Sequence, residues 1–116
     1  MINRAALLLK YKAPAIAWIN DADPMPDGVG LSAEEVNSDR TVYLISDAVA
    51  DSPKTLERWI KANLDVLFEA ELEAWYTDPD LWPKNRTYAL FKKWFDVECH
   101  TVLLDTVGGL IVDDDL

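Results

Sequence analysis

Asp21, Asp23, Asp47 and Asp105 fall at or near the ends of segments that read as strands, where several carboxylate oxygens can converge on a magnesium or calcium ion. Such a cluster on a rigid sheet edge would suit metal-assisted phosphoryl or phosphodiester hydrolysis, and Asp105 shares a strand face with Leu103 and Val107. The surrounding pattern is incomplete. The Asp-x-Asp at 21 to 23 lacks the remaining calcium-loop ligands, and no lysine-bearing glycine loop is present to hold phosphates. Capping of loops is the ordinary role of aspartates at such places.

Cys99 and His100 are adjacent, and a thiolate paired with an imidazole is a familiar nucleophile. Neighbours on a regular strand point to opposite faces, which works against a dyad there. A tetrahedral zinc site draws three or four ligands from Cys and His, and these two residues are all the chain has. Gly28-Val29-Gly30 lacks the third glycine and the flanking strand and helix of a dinucleotide fingerprint. No cofactor is expected.

The remaining candidates are aromatic and acidic. Of five tryptophans, Trp82 sits in a turn, where with Tyr76 it could anchor a partner or fold back to seal the core. Twenty-one acidic against eleven basic residues give a net charge of -10. That balance disfavours direct binding to DNA or RNA, whose phosphates call for clustered Lys and Arg. Residues 13 to 53 carry Asp21, Asp23, Asp27, Glu34, Glu35, Asp39, Asp47 and Asp51 against Arg40 alone. An acidic face of this kind keeps a protein soluble, and it also steers a basic partner toward it.

The reading that follows is a binding module without enzymatic activity (adaptor, inhibitor or immunity-type protein) that meets a neutral or basic protein through an acidic surface centred on Asp21 to Asp51, with Asp21, Asp23 and Asp27 as candidate contacts. A small divalent-metal hydrolase built on Asp21, Asp23, Asp47 and Asp105 is one alternative. A nucleic-acid mimic is another. The apolar run Ala5 to Leu9, closed by Arg4 and Lys10, is too short for a membrane span or a signal segment, so a cytoplasmic protein is expected. The single cysteine, Cys99, excludes an internal disulfide.

Half the residues are hydrophobic over a length of 116, enough for one globular domain spanning residues 1–116. Ala5 to Lys12 alternates as a half-buried strand. Ala15 to Asn20 resumes the alternation after Pro14, as a hairpin or a kinked strand. Asp21 to Gly30 is a loop, Ser32 and Glu35 form a capping-box pattern for a short helix, and Thr41 to Ser46 reads as a strand. Ser52 and Pro53 start one long helix to about Tyr76, with Leu56, Trp59, Ile60, Leu64, Leu67 and Trp75 near one stripe. A second helix is expected over about 85 to 97, and a closing hairpin of 101 to 107 with 110 to 113 about Gly108-Gly109. The sum is an α+β domain: an antiparallel or mixed sheet of about four to five strands with two main helices on one face. An exposed edge leaves a homodimer open.

Overall fold

A computed structural model describes residues 1–115 and forms an α+β domain around a short antiparallel sheet. Strand β1, Arg4–Tyr11, is central; β2, Val42–Ser46, and β3, Phe95–His100, pair on its two sides. Arg4 lies opposite Ser46 and Leu8 opposite Val42, while on the other side Ala6 meets His100 and Tyr11 meets Phe95. Where β2 stops short of Tyr11, the Asn37 carboxamide takes its place. Its Oδ1 accepts from the Tyr11 amide at 2.8 Å and its Nδ2 donates to the Tyr11 carbonyl at 3.2 Å.

The alternation expected of β1 puts Ala5, Leu7, Leu9 and Tyr11 into the core. Five helices cover that face: α1, Ala13–Ala22; α2, Ala33–Val36; α3, Pro53–Ala62; α4, Leu64–Trp75; and α5, Tyr88–Trp94. Phe68 sits at the centre, fully buried, with the rings of Phe91, Trp94 and Phe95 at 5.6 to 5.9 Å from its own. The opposite face of the sheet is open, and Val42 and Leu44 are about half exposed there at 52% and 51%.

Three local features read from the sequence, two helix starts and a strand, are realised. Ser32 accepts from the Glu35 amide while the Glu35 carboxylate accepts from the Ser32 amide, each at 3.1 Å. Ser52 caps α3 through the Thr55 amide, with Pro53 in the first turn. Val42–Ser46 is a strand within the expected bounds.

Four expectations are corrected. Residues 15 to 20 are helical, because Pro14 stands in the first turn of α1, where its missing amide hydrogen costs nothing, and the i, i+4 pair Ala15 and Ile19 is the buried set. The long helix is two. Asn63, at φ -116° and ψ 22°, donates its side-chain amide to the Trp59 carbonyl at 2.9 Å, and the chain turns there. The second helix ends at Trp94, since from Phe95 onward the backbone bonds across to β1.

The closing hairpin does not form. Past Leu103, whose carbonyl accepts from the Ile2 amide at 3.2 Å, β1 offers no further strand to pair with. Asp105 also turns its carboxylate back to the Val107 amide at 2.9 Å, a local bond that competes with a ladder. Among the described residues the sheet therefore has three strands, not four or five, and five helices pack on it in place of two main ones. The radius of gyration is 15.9 Å, against roughly 13 Å for a compact chain of this length.

The ring cluster should carry much of the stability. Phe68→Ala is expected to cost about 3–5 kcal/mol in denaturant unfolding, because Phe91, Trp94 and Phe95 cannot all close on the void. A loss below about 1 kcal/mol would show that the aromatic cluster is not the core's centre.

Candidate functional site

The eight acidic side chains between residues 13 and 53 are all exposed. They lie on the C-terminal turn of α1 and the loop after it, on α2, on the approach to β2, and on the turn that leaves β2. The loop from Asp23 is held in shape by Asn20, whose carboxamide bonds both the amide and the carbonyl of Leu31 at 2.8 and 3.0 Å. Gly30, at φ +68°, packs against that carboxamide so closely that a Cβ would stand 2.8 Å from it. Asp27 accepts from the Val29 amide at 3.0 Å, which turns the loop tip.

Arg40 is the single cation in this stretch, and it is directed elsewhere. Its guanidinium reaches across the open sheet face to Glu98 on β3, with N to O at 3.0 Å, and holds that carboxyl below the usual range. The other ion pairs among the described residues are Lys12 with Asp96, Lys61 with Glu57, Arg86 with Glu69, and His100 with Glu98. None of the eight acids has a cation within ion-pair distance. Their charges face water uncompensated.

The proposed metal quartet is not assembled. Among the described residues no three His, Cys, Asp or Glu side chains are grouped as a metal ion would need, so Asp21, Asp23, Asp47 and Asp105 do not form one site. The sequence pattern placed each at an element end without bringing those ends together. Cys99 and His100 diverge across β3: Cys99 packs on the core and burial raises its thiol, while His100 projects on the open face beside Glu98.

Tyr76 and Trp82 are tied into the fold. The Tyr76 hydroxyl donates to the Ile19 carbonyl, and the Trp82 indole donates to the Tyr76 carbonyl at 2.7 Å. The Trp18 indole in turn donates to the Leu81 carbonyl at 2.8 Å, and its ring meets Tyr76 edge-on at 5.3 Å. Together these bonds clip the turn after α4 onto α1, and Trp82 is left half-buried.

The most unusual polar group is one that sequence reasoning passed over. Glu71 on α4 is 5% exposed. Tyr11 donates to its Oε1 at 2.8 Å, Tyr43 donates to its Oε2, and the Trp75 indole donates to the Tyr11 hydroxyl at 3.0 Å. One helix is thus bound to two adjacent strands by a single carboxylate. Removal from water raises the Glu71 pKa, the two hydroxyls opposing that rise, and the same burial beside Glu71 pushes both tyrosines well above 10.0. A cleft of about 140 Å³ lined by Tyr11, Asp39, Arg40 and Trp75 adjoins this cluster. The signal in the sequence was an acidic residue on the apolar stripe, four positions after Leu67 and four before Trp75.

Two outcomes are expected here. Tyr43→Phe leaves Oε2 without its donor and should destabilise the fold by about 1–3 kcal/mol in chemical denaturation. Below pH 4.5, the ordinary glutamate value, Glu71 is protonated whether the chain is folded or not. Above it the unfolded chain ionises while the folded state keeps its proton, so stability falls as pH rises from 4.5 through the raised native value. The stability difference between Glu71→Gln and wild type should therefore shift in favour of the variant as pH climbs from about 4 to 8, by urea titration at each pH. A difference that stays flat would show the carboxyl to be unperturbed.

Comparison of the chain with protein-family models, with curated proteins and with solved structures found no match in any of the three.

Proposed function

We propose that this protein is a small acidic binding module of the cytoplasm that acts on a basic protein partner without catalysing a reaction. The observation that supports the reading is the unpaired state of the acidic surface. Eight exposed carboxylates stand between residues 13 and 53, and the one guanidinium among them is bound to Glu98 instead. Uncompensated like charges cost the folded chain some self-repulsion and give it a field that speeds encounter with a cation-rich surface. An inhibitor or immunity-type role against a cationic protein uses this field directly. Among the described residues no helix is long and apolar enough to cross a membrane.

Capture on the tagged protein from its native extract tests the reading. A basic protein in stoichiometric amount, retained at low ionic strength and released by about 0.5 M salt, is the expected result. The variant Asp21→Asn, Asp23→Asn, Asp27→Asn should lose most of that capture while unfolding at the wild-type denaturant concentration. Equal capture by the variant would remove this part of the surface from the interface, and a partner of acidic composition would overturn the reading.

A further inference from the structure

The strand order leaves β2 at an edge, and its sequence does nothing to protect it. Val42–Ser46 reads Val-Tyr-Leu-Ile-Ser, with no lysine, no proline and no charge among the five. Natural edges are blunted by such residues because an unpaired row of N–H and C=O groups is a template for another strand. The other edge, β3, is blunted: Asp96, Glu98 and His100 alternate along it. Apart from the ladder to β1, no hydrogen bond from the described residues engages the backbone of residues 42 to 46.

Charge stands at both ends of this bare edge. Asp39 precedes β2 by three residues, and Asp47 and Asp51 follow it; all are exposed and none is ion-paired. Asp39 and Asp47 are eight residues apart, roughly 25 Å of extended chain. Just beyond Ser46, Ala48, Val49, Trp59 and Ala62 line an apolar cleft of about 390 Å³.

We infer that the free edge of β2 accepts an additional strand from an extended segment of the partner, uncharged along its middle and carrying Lys or Arg at both ends. This deepens the reading of a basic partner and rests on it. Added main-chain hydrogen bonds supply the register, and Asp39 at one end with Asp47 and Asp51 at the other select for cations. The same charges argue against the two occupants the chain itself could offer. A second copy pairing antiparallel would set its Asp39 against Asp47, and pairing parallel would set Asp39 against Asp39. The chain's own segment from Thr101 onward carries Asp105, Asp113, Asp114 and Asp115 and no cation.

The test is nitrogen-15 NMR of the full chain titrated with the peptide Lys-Lys-Thr-Val-Thr-Val-Thr-Lys-Lys, and with a control in which every Lys is Glu. Saturable shifts centred on residues 42 to 46, with new protection of alternate amides there from hydrogen exchange, are expected for the cationic peptide alone. The exposed variant Asp39→Asn, Asp47→Asn, Asp51→Asn should weaken that binding about tenfold and leave the free protein's spectrum otherwise intact.

Equal binding of both peptides would overturn the charge selection, and no binding at millimolar peptide would overturn the added strand. Shifts confined to residues 21 to 27 would do the same, yet would leave the basic-partner reading standing. Protection of residues 42 to 46 that appears without peptide and grows with protein concentration would make a second copy the occupant and contradict the inference. Failure of the broader reading shows separately, in a captured partner of acidic composition.

Discussion

Everything in this fold depends on β1 being hydrogen-bonded on both sides and buried on one face. It supplies Leu7 and Leu9 to the core and aligns β2 and β3 against itself. It also ends at Tyr11, whose hydroxyl meets Glu71. A sheet of three strands has one interior strand and two edges, and five helices placed on one side leave the other open. The bare β2 edge and the exposed apolar residues beside it follow from that geometry.

Glu71 fixes how the helices sit on this sheet. A carboxylate with two tyrosine donors can occupy few positions, and its donors come from β1 and β2, so α4 cannot slide along the strands without breaking one bond or both. The stability cost of burying this carboxyl is offset only in part by those hydroxyls, with the Trp75 indole holding Tyr11 from behind. Apolar packing around Phe68 then supplies most of the driving force. Between the two, the helical layer is fixed in place on the sheet, while the acidic loop and the β2 edge are open to solvent.

The parts of the fold that were legible in the sequence are those set by local chemistry. The period of β1, the Ser32 and Glu35 capping box, the β-branched and aromatic run of β2, and the Ser52-Pro53 start each need only neighbouring residues. The parts misread were decided at a distance or by a competing local bond. Ala15 to Asn20 satisfies both a strand and a helix period, and burial of Ala15 with Ile19 selects the helix. Asn63 ends α3 through one side-chain bond to Trp59. Phe95 leaves α5 because Tyr11 is there to receive it.

The candidate site divides the same way. Composition disclosed the acidic stretch, but the turning of Arg40 to Glu98 and the separation of the four metal-type aspartates are set by the fold. Glu71 was readable only as an anomaly on an apolar stripe. The most direct test of the central claim is residue-resolved amide hydrogen exchange on the free protein at low concentration. Strong protection throughout β1 with fast exchange at alternate amides of Val42 to Ser46 is the predicted result. Uniform protection of β2 equal to that of β1 would mean the edge is already occupied, and the account of an open acceptor strand would fail.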